Sequence, residues 1–178
     1  MVDNARRGFL TGAFLTAEGR EEIDRQVKPA GVAPPWIGGR CTADACTDCE
    51  GFCVSACEVG IVVRHEAGHA YAGIPWLDFA AGACTWCGAC AEACPIEGVA
   101  YSEQARPKLG NAVLDGDQCF AWKSVVCVSC RFACSDKAIV VDALNRPSIL
   151  DAACTGCGAC VAVCPQEAID IAPANQTA

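Results

Sequence analysis

Apolar positions along the chain fall in short segments separated by polar or glycine-containing turns. Two intervals of the chain show the same order of apolar segment, polar turn and second apolar segment. After Cys57 the segment EVGIVV is followed by polar residues and then by IPWLD, and after Cys134 the segment SDKAIVV is followed by DALNRP and SILD. Each interval predicts a strand, a turn and a second short strand. The interval over 95–118 is longer and contains Pro107 and Gly110, which favours a connection between two modules.

The segments between these predicted strands are rich in cysteine. The 178-residue chain has 17 cysteines, and most lie two or three residues apart. Disulfide scaffolds usually spread their cysteines along the chain, whereas the ligands of one metal centre are closely spaced. The cysteines form four sets, which are Cys46, Cys49, Cys53 and Cys57; Cys84, Cys87, Cys90 and Cys94; Cys119, Cys127, Cys130 and Cys134; and Cys154, Cys157, Cys160 and Cys164.

The second and fourth sets form an internal repeat. They read CTWCGACAEACP and CTGCGACVAVCP, identical at eight of twelve positions. Both follow the C-x2-C-x2-C-x3-C-P spacing with which bacterial ferredoxins bind [4Fe-4S] clusters. Three cysteines in a loop rich in small residues can bind three corners of a cubane, and the fourth lies one helical turn further on. The repeat predicts an α+β fold of tandem two-cluster ferredoxin modules with little regular secondary structure, stabilised by their clusters.

The fourth cysteine of each motif ligates the other cluster in two-cluster ferredoxins. We therefore predict crossed ligation between sets one and two, and between sets three and four. Cluster one then has Cys46, Cys49, Cys53 and Cys94, and cluster two has Cys84, Cys87, Cys90 and Cys57. Cluster three has Cys119, Cys127, Cys130 and Cys164, and cluster four has Cys154, Cys157, Cys160 and Cys134.

The repeat also predicts the domain organisation. It consists of an N-terminal arm over 1–40, a first module over 41–100, a linker over 101–118 and a second module over 119–172. The hydrophobic fraction of 53% includes many cysteines and alanines, and large apolar residues are sparse. Each small module is therefore expected to depend on bound clusters for its stability.

Sets one and three depart from the regular spacing. Set one has one extra residue before Cys53, set three has seven residues between Cys119 and Cys127, and neither set is followed by proline. Four clusters are expected, and the alternative is three, with the third set empty. Cys41 would give the plant-type two-iron spacing with set one, but that pairing leaves Cys53 or Cys57 unused. We interpret Cys41 as a free or alternate thiol.

The segment HEAGH, from His65 to His69, matches the H-E-x-x-H pattern of zinc proteases. That chemistry needs both histidines on one face of a helix. Gly68 lies within the pattern, an apolar strand runs directly into it, and no third ligand is apparent in the sequence. We therefore predict a turn between two strands rather than a zinc site.

The formal net charge of −8 argues against nucleic-acid binding and favours a protein partner with a basic docking face. No run of 18 apolar residues occurs, so no membrane span is predicted. The sequence shows no nucleophile–base pair, phosphate-binding loop or open metal site. Electron transfer or an accessory role is therefore favoured over an enzyme.

The chain resembles the NapF family, the ferredoxin-type accessory proteins of the periplasmic nitrate reductase system. The resemblance rests on RRGFLTG at 6–12, on APPW at 33–36 and on four cysteine sets with a stretched third set. It implies up to four [4Fe-4S] clusters bound by the sixteen cysteines named above, and a cytoplasmic location. It also implies that the partner is the precursor of the catalytic nitrate reductase subunit, matured before export. The extra residue in set one departs from the family pattern.

Arg6 and Arg7 also resemble a twin-arginine export address. The apolar stretch that follows is short, contains two glycines and leads into the charged segment EGREEIDR, which is unsuited to an export signal. We therefore predict retention in the cytoplasm and docking of Arg6, Arg7, Phe9 and Leu10 on the partner enzyme. The alternative functions are a soluble electron carrier and an electron-relay subunit of a larger oxidoreductase.

Overall fold

The computed structural model describes residues 31–37, 40, 43–99 and 101–174. Short helices and strands alternate along these residues. The helices are α1 (Ala43–Thr47), α2 (Phe52–Ser55), α3 (Ala89–Glu92), α4 (Ser129–Ala133), α5 (Ala159–Ala162) and a 3-10 helix at Ala121–Lys123. The strands are β1 (Val62–Arg64), β2 (Pro75–Leu77), β3 (Gly110–Leu114), β4 (Ile139–Val141), β5 (Pro147–Ile149) and β6 (Ile169–Pro173).

The two strand–turn–strand intervals predicted from the apolar pattern are antiparallel hairpins. In the first, Val62 of β1 lies opposite Leu77 of β2. In the second, Ile139 of β4 lies opposite Ile149 of β5. Val62, Leu77 and Ile139 are buried, because apolar side chains of each hairpin face the adjacent cysteine loops. This part of the sequence-based prediction is confirmed.

The second module is closed by a strand pair that joins its two ends. Strand β3 pairs antiparallel with β6, from Gly110 opposite Pro173 to Leu114 opposite Ile169. Residues 110–114 therefore belong to the sheet of the second module, although the sequence placed them in a linker over 101–118. The apolar stretch GNAVL is short and its partner strand lies more than fifty residues further on, so the local pattern did not reveal the pairing.

Residues 32–37 pack on the first module and are not part of a separate arm. Pro34 and Ile37 are almost completely buried, and Val32 is 4% exposed. The carbonyl of Val32 accepts a hydrogen bond from the Leu77 amide at 2.8 Å, which ties this segment to β2. The boundary predicted at residue 40 therefore lies too far along the chain. Residues 1–30 lie outside the described part of the chain.

One hydrophobic core runs through both modules. Its buried residues include Ile61 and Phe79 from the first module and Ile139 and Ile171 from the second. The Cys84 amide donates a hydrogen bond to the Cys157 carbonyl across the junction at 2.9 Å. The core therefore holds the cysteine loops of the two modules against each other. Within the described residues, no helix has the length and apolar character needed to cross a membrane.

Candidate iron–sulfur sites

In each cysteine set a loop leads into a very short helix, and in set one the first cysteine, Cys46, lies in the preceding helix α1. The third cysteine of each set lies in that helix and is buried: Cys53, Cys90, Cys130 and Cys160. In sets two and four the residue before the helix is a glycine in the left-handed region, Gly88 at φ 81° and Gly158 at φ 83°. Glycine adopts this conformation without steric cost, so the loop can turn sharply into the helix. The turn places the third cysteine beside the first two and leaves the fourth beyond the helix.

The structure brings the sixteen predicted cysteines together in four groups, each surrounding its own cavity. The first cavity is lined by Cys46, Cys49, Cys53 and Cys94, and the second by Cys57, Cys84, Cys87 and Cys90. The third is lined by Cys119, Cys127, Cys130 and Cys164, and the fourth by Cys134, Cys154, Cys157 and Cys160. Each group has three cysteines from one motif and the last cysteine of its neighbour. This is the arrangement that crossed ligation requires; iron binding by these particular cysteines stays a prediction.

The cavity at the third set bears on the question of three or four clusters. The seven residues between Cys119 and Cys127 form the 3-10 helix and a loop. After this loop the chain comes back to the site, and Cys127 lines the same cavity as Cys119 and Cys130. The stretched spacing is therefore compatible with a fourth complete group of cysteines.

Burial raises the pKa of several of the cysteine thiols and so disfavours their thiolate form. It raises the pKa of Cys90 and that of Cys160 to about 12, with nearby cysteines adding to the effect. Burial also raises the pKa of Cys84 to about 11. Thiolate is the form that binds metal, so these buried sulfurs require a positively charged centre to become ionised. The sixteen cysteines form no disulfide with one another. Both properties fit an iron–sulfur cluster.

Backbone amides point at several of the sulfurs. The Ala138 amide lies 3.2 Å from Cys134 Sγ, and the Ala168 amide lies 3.3 Å from Cys164 Sγ. The Ala112 amide donates to Cys154 Sγ at 3.4 Å from strand β3. Such N–H···S hydrogen bonds stabilise thiolate charge and raise the reduction potential of a bound cluster. The strand that the sequence had assigned to a linker thus contributes directly to the fourth site.

A site for a single metal ion is not formed in the described part of the chain, where no three His, Cys, Asp or Glu side chains converge on one position. Sulfurs around one zinc would each lie about 2.3 Å from the metal. Here each cavity is lined by four cysteines, the number of ligands that a [4Fe-4S] cluster takes. The HEAGH segment is a turn, as predicted, and the His65 and His69 rings stack at 4.2 Å.

Arg64 supports the irregular first set. Its guanidinium donates to the carbonyls of Cys46 and Thr47, to that of Cys49 at 2.9 Å and to that of Gly73 at 2.8 Å. The side chain thereby fixes the loop that carries the first two cysteines, where the spacing has its extra residue. Sequence reasoning missed Arg64, because its partners lie up to 18 residues away and a single arginine at the end of a strand gives no signal.

Replacing Arg64 by alanine is expected to destabilise the first site selectively. Hydrogen bonds to charged groups each contribute about 1.5–3 kcal/mol, and this side chain makes several to one loop. Bleaching of the visible iron–sulfur absorption in air should acquire a faster phase of about one quarter of the amplitude. Lys108→Ala is the control, since Lys108 is exposed and donates to the Asp151 carbonyl in the second module rather than to the first set. Uniform bleaching in Arg64→Ala would contradict this role.

The four sites are joined in one series. Sites one and two share the first module through their exchanged cysteines, as do sites three and four in the second. The junction hydrogen bond between Cys84 and Cys157 links site two to site four. The order is therefore one, two, four, three, with sites one and three at the ends. A series of neighbouring cysteine-lined cavities is suited to passing electrons between clusters.

These features define the class of the protein, a ferredoxin-type iron–sulfur protein with [4Fe-4S] clusters. Residues 45–99 match the 4Fe-4S dicluster domain family, and residues 147–170 match the 4Fe-4S binding domain family. The first match spans nearly all of the first module, and the second covers the part of the second module that contains the fourth cysteine set.

The chain belongs to the NapF family. It is 33% identical over 173 residues to ferredoxin-type protein NapF of Escherichia coli (strain K12), covering 94% of both chains. It is 33% identical over 172 residues to NapF of Haemophilus influenzae, covering 92% of this chain and 91% of that one. Ferredoxin-type protein NapG of Escherichia coli (strain K12) is 29% identical over 201 residues, covering 96% of this chain and 86% of NapG. The family predicted from the sequence is confirmed.

Several sequence-predicted positions lie outside the described residues. These are the docking candidates Arg6, Arg7, Phe9 and Leu10, and the seventeenth cysteine, Cys41. The two modules are described without them, and their predicted roles stay predictions.

Proposed function

We propose that this chain is a cytoplasmic iron–sulfur protein that assists maturation of the catalytic subunit of periplasmic nitrate reductase before export. It would hold four [4Fe-4S] clusters through the sixteen cysteines and would act on its partner rather than catalyse a reaction on a small substrate. Each cluster supplies one-electron chemistry when bound. The polypeptide supplies thiolate ligands, amide donors to sulfur and a surface for docking.

One observation carries the proposal: four cysteine-lined cavities form a continuous series in a chain that is 33% identical to NapF over 94% of its length. A chain with a single cluster could accept an electron, but a connected series can receive it at one end and deliver it at the other. This supports a protein that works between two partners, or between two regions of one large partner.

The series also favours a second candidate function. An electron-relay subunit of an oxidoreductase would need neighbouring clusters in the same way. The two functions differ in the partner: a maturation protein binds the catalytic subunit before export, whereas a relay subunit remains with the subunits that oxidise quinol. The structural features of the sites are common to both functions, so identifying the partner is what distinguishes them.

An anaerobic pull-down from native extract with the holoprotein distinguishes the two. We expect recovery of the nitrate reductase catalytic subunit with its export signal still attached. Stoichiometric recovery of membrane quinol-oxidising subunits would instead support the relay. A second arm uses Arg6→Ala/Arg7→Ala, which should recover less of the catalytic subunit at unchanged iron content. An amino-terminally shortened form of this chain in the periplasm would contradict the cytoplasmic location.

A further inference from the structure

The segment of the third set differs in charge from the rest of the protein. Between Cys119 and Cys134 the charged residues are Lys123 and Arg131, with no acidic residue. The segment of the first set contains Asp48 and Glu50, that of the second contains Glu92, and that of the fourth contains no charged residue. In a chain with a formal net charge of −8, the third set is therefore the one cysteine set with a positive segment.

The same segment exposes large apolar side chains. Val126 is 85% exposed and Phe132 is 81% exposed, whereas Phe52 within the first set is 43% exposed and Val163 within the fourth set is 42% exposed. Val126 directly precedes Cys127, and Phe132 lies two residues after Cys130. Exposing side chains of this size to water is unfavourable, so their concentration around one site indicates a contact surface.

The surface is held in place by specific contacts. The Trp122 indole donates to the Pro147 carbonyl at 3.2 Å, and the Arg146 guanidinium lies 4.9 Å from the centre of the Trp122 ring. The Val125 amide donates to the Phe120 carbonyl at 3.0 Å, which closes the loop after the 3-10 helix. The seven-residue stretch between Cys119 and Cys127 thus has a defined conformation, and the Trp122 hydrogen bond connects it to the start of β5.

We propose that the surface formed by Trp122, Lys123, Val125, Val126, Arg131 and Phe132 docks a protein partner that presents an acidic rim around an apolar centre. This proposal rests on the proposed function and specifies that the partner docks at the third site. Cys127 and Cys130, between the two halves of the surface, line the third site, which ends the series of four. A partner bound here would lie beside the terminal site.

The proposed surface refines what the net charge indicates. An acidic chain as a whole favours a basic partner, but docking depends on the charges that face the partner within about one Debye length, roughly 8–10 Å at physiological salt. Lys123 and Arg131 are exposed at the third site. The Asp115 carboxylate is near enough for Lys123 to contribute to lowering its pKa, and Arg131 has no such acidic neighbour within its own cysteine segment. Complementary acidic groups on the partner would orient it, and burial of Val126 and Phe132 would stabilise the contact.

The test measures binding of the purified catalytic subunit, with its export signal, to the anaerobically purified holoprotein. The variant Lys123→Glu/Arg131→Glu is expected to raise Kd by about tenfold or more, because two attractive charges become repulsive. Arg106→Glu/Lys108→Glu is the matched control, because both residues are exposed, lie between the modules and give the same change in net charge. Its iron content checks that loss of the Arg106–Trp86 and Lys108–Asp151 contacts leaves the clusters in place. Its Kd should stay within about twofold of the wild type.

A second pair of variants tests the apolar centre. Phe132→Ala should also raise Kd, whereas Phe52→Ala within the first set should not. Iron content and visible absorption check that each variant retains its clusters. If the charge-reversed variant loses iron, Lys123→Gln/Arg131→Gln replaces it, since neutral side chains place no added negative charge near the third site.

The outcomes separate the two proposals. Wild-type affinity in both the charge variant and Phe132→Ala would overturn the docking surface and leave the proposed function intact. Equal weakening in the control pair would overturn it as well, because the effect would then follow net charge. If the wild-type holoprotein fails to bind the catalytic subunit at all, the proposed function and this docking assignment are overturned together.

Discussion

Gly158→Ala is expected to abolish the cluster of the fourth site and to remove about four irons per chain. Gly158 has φ 83° and directly precedes helix α5, which carries Cys160. A Cβ at this position would overlap the ring of Phe79, which is buried at the junction of the modules. The left-handed conformation costs an alanine about 1–2 kcal/mol, and the overlap must in addition displace either the ring or the cysteine loop.

Two variants separate these contributions. Gly60 has φ 76° and no atom within 4 Å of an added Cβ, so Gly60→Ala measures the conformational cost alone. We expect it to retain its full iron content. Combining Gly158→Ala with Phe79→Ala removes the overlap and should restore part of the iron. Full iron content in Gly158→Ala would show that the loop does not need the close approach of Phe79.

Cys94→Ala is expected to remove the cluster of the first site, although Cys94 belongs to the second motif. Cys94 lines the cavity with Cys46, Cys49 and Cys53. Likewise, Cys57→Ala should remove the cluster of the second site, whose cavity contains Cys84, Cys87 and Cys90. Each variant should lose about four irons per chain, because a cubane left with three thiolate ligands is readily lost. Iron and sulfide analysis of anaerobically purified protein measures the loss.

Much of the site could be predicted from the sequence because cluster ligation constrains local spacing. The regular second and fourth sets indicate the cluster type, and the hairpins follow from apolar segments that lie close together along the chain. Crossed pairing follows from helix geometry, since the fourth cysteine is one turn beyond the third. The motif spacings and the hairpins are local signals, with the paired residues Val62 and Leu77 fifteen positions apart. Crossed grouping brings Cys94 beside cysteines more than forty positions earlier, and it could be predicted because the ferredoxin motif specifies it.

The features that the sequence did not reveal depend on distant contacts. Strand β3 is recognisable only beside β6, and residues 32–37 belong to the first module only because Val32 meets Leu77. Arg64 acts on carbonyls rather than on side chains, so no motif marks it. The junction of Phe79 with Gly158 requires both modules to be folded. Each case joins segments whose local patterns are individually unremarkable.

Crossed ligation is the central claim, and paired cysteine variants test it most directly. Cys46→Ala/Cys94→Ala removes two ligands of one site and is expected to lose about four irons per chain, no more than Cys94→Ala alone. Cys84→Ala/Cys94→Ala removes ligands of two sites and is expected to lose about eight. The reverse result, with about eight irons lost from Cys46→Ala/Cys94→Ala and about four from Cys84→Ala/Cys94→Ala, would mean that each motif binds its own fourth cysteine and would contradict the account.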